Sequence, residues 1–348
     1  MRFLAIVFVL FASVMSHAAD FDIHWDGRFE KQLSAYNLFA DPVTQMPNEG
    51  LLGYEIVSPL FSDYALKDRF IYLSDGATMR YDEWEAFELP VGSAMVTTFS
   101  YPKDFREPDK NIRLIETRLM IHTEMGWKGA AYVWNEEQTD ATLKVAGKQI
   151  PLEWTHYDGT RRSTKYLVPN MNECRFCHRA TGTVGPLGVK ARQLNRFVET
   201  GNGRGNQLQH WKAIGILDGL SEPDDVPRMA AWSDASGELD ARAAAYLDIN
   251  CAHCHNPKGH ANYTRLDLSY TQQDSSYKGV FHRPTSAGNS SRGLFYAIVP
   301  GDAEASFLLH RIRSTEPQTR MPQTGRTVTH DEGVELIREW IESLVVDE

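Results

Sequence analysis

Cysteine is scarce in this chain, with four in 348 residues. Two short motifs consume all of them, so the disulfide framework that staples many small exported domains is excluded. Long apolar runs are scarce too. Beyond the first 19 residues no stretch approaches the roughly 18 or more apolar residues that a membrane helix needs. There is no low-complexity segment and no excess of positive charge. The 46 acidic residues outnumber the 36 basic ones, for a formal net charge of −10. Such a balance disfavours nucleic acid and acidic lipid as partners. It suits docking against a basic protein, and equally a simple need for solubility.

The four cysteines stand as Cys174-Arg175-Phe176-Cys177-His178 and Cys251-Ala252-His253-Cys254-His255. Cys-x-x-Cys-His is the attachment signal for c-type haem. Each thiol adds across a vinyl group, so the two sulfurs must lie one helical turn apart along one edge of the porphyrin. The adjacent histidine then reaches under the ring to the iron. At this chain's own Cys and His frequencies the motif should arise by chance roughly 0.002 times. Two copies with no cysteine left over predict two covalently bound haem c groups, held by Cys174, Cys177, Cys251 and Cys254. A tetrahedral zinc site built from both Cys-x-x-Cys pairs is the alternative. The histidine that closes each motif argues against it.

The beginning of the chain agrees with that chemistry. Met1-Arg2 is a short positive start, Phe3 to Met15 is apolar but for Ser13, and Ser16-His17-Ala18-Ala19 offers small residues for cleavage. These are the marks of a secretory signal peptide over residues 1–19, cut near Ala18-Ala19. Haem c is attached outside the bacterial cytoplasm, so a periplasmic protein is expected.

The remaining length suits more than one unit. Residues 20–169 read as a β-rich, antiparallel, sandwich-like domain. Leu51 to Val57, Arg69 to Leu73, Ala94 to Phe99 and the alternating Arg113 to His122 are β-branched or aromatic runs bounded by turn residues. Thr142 to Val145 and Gln149 to Trp154, joined by Ala146-Gly147-Lys148, read as a hairpin. The acids Glu136, Glu137 and Asp140 read as a solvated loop rather than an acid/base pair. Residues 170–237 hold the first haem motif in a loop-rich crossing, with a short helix over Asn206 to Ile214 and a linker from Ser221. Residues 238–348 read as helical. Leu239, Ala243, Tyr246, Leu247 and Ile249 lead into Cys251, a second helix spans Glu304 to Ile312, and a third spans Asp331 to Leu344. The expected fold class is therefore β plus α, with a β domain followed by a mainly helical one.

The order of the last region (helix, haem motif, long irregular segment, helix, Met-Pro, closing helix) resembles a class I cytochrome c domain. Tyr246 and Trp340 are then expected where the first and last helices cross. His255 becomes the proximal iron ligand and Met321 of Met321-Pro322 the distal one, a soft thioether that raises the potential. His260 is the rival, but it follows His255 too closely to cross the ring easily. His253 is expected to point away from iron. At the first motif His178 is the proximal candidate. For its distal position His210 on the short helix leads, followed by Met229, His156 or an open, water-bound site. Arg192, Asn195 and Arg204 are candidates to balance haem propionates, or simply solvated.

Several segments resemble a family of exported bacterial dihaem c-type cytochromes. They are Ser58-Pro59-Leu60-Phe61-Ser62-Asp63-Tyr64, Tyr132-Val133-Trp134-Asn135-Glu136-Glu137-Gln138-Thr139-Asp140-Ala141, Gln193-Leu194-Asn195-Arg196, Asn250-Cys251-Ala252-His253-Cys254-His255-Asn256-Pro257 and Val299-Pro300-Gly301-Asp302. Related modules occur fused to quinoprotein propellers of the sugar-dehydrogenase type. The resemblance implies electron transfer, with a quinoprotein dehydrogenase as donor, rather than catalysis. Two other functions stay open: a dihaem enzyme of peroxidase type with an open first haem, and a β domain that binds a sugar or a protein through Trp127, Trp134 or Trp154.

Overall fold

A computed structural model describes residues 23, 25–179, 181–201, 203–222, 225–285 and 291–345. The expected signal peptide, residues 1–19, lies outside them. Among the described residues no helix is long and apolar enough to cross a membrane.

The N-terminal region is built on a six-stranded antiparallel sheet. Its strands are β1 (Leu51–Gly53), β2 (Leu66–Tyr72), β3 (Ala94–Pro102), β4 (Ile112–Thr123), β5 (Gly126–Trp134) and β6 (Ala141–Leu143), hydrogen-bonded in that order. Apolar residues occupy both faces, which is why its strands read as nearly continuous hydrophobic runs. Val96, Leu119, Tyr132 and Trp134 pack on one face with Leu33, Tyr36 and Leu38 from the preceding segment. The other face is covered in two parts. Phe99, Ile115 and Val133 meet a two-stranded hairpin, β7 (Lys148–Thr155) and β8 (Arg161–Val168), through Ile150, Leu152 and Trp154. Met95 and Met120 meet Leu194, Leu208 and Trp211, which follow the first haem motif in sequence.

One strand pairing differs from the sequence reading. Residues after Lys148 pair with Arg161–Val168, and Thr142 pairs with Val133 instead. The cause lies at Gly147, whose φ of +73° turns the chain out of the sheet. A Cβ there would also run into the backbone of Val168 and Asn170. Once the chain has left the sheet, Ile150, Leu152 and Trp154 bury one face of the hairpin against Tyr101 and Tyr166.

The smaller C-terminal part is helical. It is framed by α1 (Leu239–Leu247), α2 (Phe307–Arg313) and α3 (Asp331–Ser343). Asp331 and Glu332 in the first turn of α3 complement its dipole. Its apolar stripe, Val334, Ile337, Trp340 and Ile341, joins Ala243 and Leu247 of α1 in one core. The two helices approach so closely that the Tyr246 ring occupies the place of a side chain on Gly333. Tyr246 and Trp340 share this core, but Trp340 also reaches Asp240, its indole N–H donating over 2.7 Å.

The segment Ser58 to Tyr64 fastens the two regions. Phe61 stacks on His330 at 4.1 Å, and its backbone N–H donates to Asn250 Oδ1. Asp63 accepts from the backbone N–H groups of Thr327 and Val328, and the Tyr64 hydroxyl donates to Glu332. A second tie is the buried pair Arg192–Asp248, at 2.9 and 3.0 Å to the two carboxylate oxygens.

Candidate haem-binding sites

Helix α1 runs on into a wider helical turn over Asp248–Ala252, which delivers Cys251 as a buried residue. From there the chain lines a cavity of about 310 Å³. Cys251, Cys254 and His255 stand on its wall, and so does Met321, 66 residues further along the chain than His255. The His255 ring is oriented by a hydrogen bond between Nδ1 and the Thr264 hydroxyl, 3.0 Å. Thr264 donates in turn to the Ala261 carbonyl at 2.7 Å, so its oxygen accepts from Nδ1. That leaves the Nε2 lone pair for a metal, the usual second-shell arrangement of a ligating histidine. Burial pushes the pKa of His255 down to about 4, with His253 and Arg311 adding to the shift. The ring is thus held neutral, the form a metal requires.

Met321 sits on a loop pinned by one buried residue. Arg326 donates to the carbonyl of Met321 at 2.8 and 3.0 Å, and also to those of Arg311, Ser314 and Val328. In addition, the Met321 N–H donates to Arg311. No local pattern in the sequence marks Arg326. Its role follows only from carbonyls that the fold turns inward.

The first motif is framed differently. A helix of five residues, Cys174–His178, starts at the first cysteine itself, directly after β8 and a turn. His178 is half-buried, and its Nδ1 bonds to the Gly185 carbonyl at 2.9 Å. Burial lowers its pKa, against the pull of that hydrogen bond. His178 lines a second cavity of about 730 Å³, bounded by the end of the β4–β5 hairpin and by loops. Its motif partner Cys177 stands instead on the wall of the first cavity. The Cys174 thiol is pushed up by burial, with Arg118 opposing. The two motifs touch, since the Cys254 thiol donates to the Phe176 carbonyl at 3.5 Å. His253 is buried, lines both cavities, and has no partner for its Nδ1.

Other sequence candidates fall elsewhere. His210 lies on the helix Gln207–Ala213 and lines neither cavity. His156 is buried beside Tyr64 and Phe105, and Met229 is buried with its N–H on the Arg192 carbonyl. His260 lines the first cavity and packs on Phe176. Arg192 is committed to Asp248, and Asn195 to Val226 and Asn206. Trp134 and Trp154 are buried, while Trp127 stacks on His122.

The first cavity suits a covalent porphyrin. The thiols of Cys251 and Cys254, a pinned imidazole and a thioether share its wall, together with Cys177 of the first motif. Arg311, also on the wall, is buried with its Nε lacking any partner, an orphaned donor that a propionate carboxylate would satisfy. Among the described residues no cluster of three or more His, Cys, Asp or Glu side chains is placed to hold a bare metal ion.

A family model described as Planctomycete cytochrome C matches residues 251–325, from the first cysteine of the second motif past Met321. No curated protein and no solved structure matches the chain. The matched stretch is similar to a cytochrome c domain, which implies covalently bound haem c and haem-based electron transfer.

Proposed function

We propose that this protein is a periplasmic dihaem c-type cytochrome that carries electrons between a dehydrogenase and a further acceptor, without a substrate of its own. The observation that carries the reading is the convergence of Cys251, Cys254, His255 and Met321 on one cavity. Haem bound there supplies reversible one-electron chemistry at iron. His255 and Met321 are the side chains that would hold the iron. Thr264 orients His255 and Arg326 anchors the Met321 loop, so both would be held in place whether the iron were ferric or ferrous. The apolar wall, with Leu266, Leu268, Phe307 and Ile312, keeps water from the metal, and with a thioether ligand this favours the ferrous state.

The haem of the first motif, at Cys174, Cys177 and His178, rests on the complete motif and the pinned His178. Export rests on the leader pattern of residues 1–19. A quinoprotein dehydrogenase as donor rests on the family resemblance. Intact mass of the purified protein tests the core of the proposal. The expected value is the chain without its first 19 residues plus two haems. A mass with one haem or with zinc would refute the dihaem reading, and an intact leader would refute export.

A further inference from the structure

His282 lines the 310 Å³ cavity together with His255 and Met321, and no motif or resemblance marks it in the sequence. Its Nε2 bonds to the Thr264 carbonyl at 3.0 Å. A carbonyl can only accept, so Nε2 carries the proton and donates. Thr264 is the residue whose hydroxyl accepts from His255 Nδ1. We infer that His282 is a positioning residue for the iron of the second motif. It holds Thr264, and through Thr264 it sets the hydrogen bond that tunes His255. The inference rests on the reading that the second motif carries haem.

Three features support it. First, the His282 ring is carried on fixed backbone. The Ala297 N–H donates to the His282 carbonyl at 2.7 Å, and the His282 N–H donates to Gly279 at 3.1 Å. The preceding Phe281 N–H donates to the carbonyl of Ile298, a fully buried member of the helical core. Second, Thr264 ends a short tight turn, Asn262–Thr264, followed by Arg265 at a left-handed φ of +58°. Its other described hydrogen bonds go to His255, Ala261 and Leu266, all near it in the chain. His282 supplies the tie to a distant segment. Holding the Thr264 carbonyl fixes the adjoining peptide plane, and with it the place from which the hydroxyl reaches His255. Third, the acceptor matters chemically. An oxygen that accepts from Nδ1–H makes Nε2 a stronger donor toward a metal. The Thr264 hydroxyl gives its own proton to Ala261 at 2.7 Å, and chained hydrogen bonds polarise one another, so its oxygen accepts more strongly. At the first motif His178 meets the Gly185 carbonyl directly, without an intervening side chain.

The test uses the full-length holoprotein and the variants His282→Leu, His282→Gln, Thr264→Val, and His282→Leu combined with Thr264→Val. Spectroelectrochemistry gives the potential of the methionine-ligated haem, and electron paramagnetic resonance of the oxidised protein reports how its imidazole is set. His282→Leu should keep the methionine–iron band, raise that potential and shift the g values, because a loosened acceptor leaves His255 a weaker donor to ferric iron. His282→Gln, whose amide can still donate to Thr264, should return both readouts to those of the wild type, which packing alone would not produce. Thr264→Val should shift both further in the same sense, and adding His282→Leu to it should change nothing more. Unchanged readouts in His282→Leu overturn the inference, as does a His282→Gln that behaves like His282→Leu, or effects that add in the combined variant. If His282→Leu fails to accumulate, His282→Asn decides, since its shorter amide falls short of Thr264. The same shift there supports the inference, and wild-type readouts overturn it. A wild type without the methionine band, whose haem turns high-spin in His282→Leu, would make His282 itself the ligand and also overturns it. A digest in which the peptide holding residues 251–255 carries no haem would instead refute the reading beneath.

Discussion

The two haem motifs present the same five-residue pattern on unlike supports. The second continues a helix, sits within a helical core, and faces a thioether brought in by a loop. The first begins as a turn after a β-strand, and its histidine lines a cavity that the end of the β4–β5 hairpin also lines. What they share is smaller than a domain: a short helical turn, and a histidine whose Nδ1 is tied to a nearby oxygen. A haem motif therefore dictates its local geometry and leaves the supporting fold free. The axial partner on the opposite side is set by that fold.

The comparison breaks most visibly if one motif is removed. Replacing both Cys251 and Cys254 by Ala should halve the haem content and abolish the methionine–iron band. Replacing both Cys174 and Cys177 should halve the content and leave that band in place. Quantitative haemochrome spectra with intact mass distinguish the two, and loss of the band in the second case would mean that Met321 serves the other haem.

Next in size is Met321→Ala. Its band should disappear and the potential of one haem should fall by an amount on the order of 0.1 V, because a thioether that favours ferrous iron is lost. The other haem should hold its potential in a spectroelectrochemical titration.

Arg326→Leu sharpens the contrast between ligand and support. Removing a buried guanidinium strands the carbonyls of Met321, Arg311, Ser314 and Val328, a loss of about 3 kcal/mol in denaturant unfolding. The methionine band should weaken without vanishing. A full-strength band with unchanged stability would show that the loop holds itself.

The smallest effect, taken over a single unit of pH, is the acid sensitivity of the helical part. Burial pushes the pKa of His330 down to about 3, with Lys67 and Arg326 adding to it. Glu332, 3.6 Å from Nε2, is half exposed and offsets little. The unfolded chain takes up a proton near pH 6.5 that the folded chain refuses. Stability from this group is therefore complete above pH 6.5 and declines as the pH falls toward 3, by about 1.4 kcal/mol per pH unit. His330→Phe, which preserves the stack on Phe61, should flatten that slope in unfolding measured across pH.

Local patterns carried much of this architecture. The helix at Asp331 shows in the spacing of Val334, Ile337 and Ile341, and the strands show in runs such as Ala94 to Phe99. The Met-Pro pattern before a closing amphipathic helix singled out Met321, and the fold places that residue on the wall of the first cavity. Interactions between distant segments were not legible. Arg326 acts on carbonyls, which have no sequence signature. The hairpin partner of Gln149 to Trp154 depends on a turn at Gly147 that leaves the sheet, which the alternation alone does not reveal. The segment Ser58 to Tyr64, conspicuous by resemblance, turns out to be a fastening between regions.

The contact between the motifs has a consequence for redox titration. The Cys254 thiol rests on the Phe176 carbonyl, and His253 forms part of both cavity walls. On the dihaem reading proposed above, two iron centres tethered at touching pentapeptides would share one dielectric environment, so an electron placed on one would raise the energetic cost of placing a second on the other. Their midpoints should then belong to the pair, as macroscopic values do for any coupled sites. A donor would on that reading meet a coupled pair of centres, whichever haem it touched first.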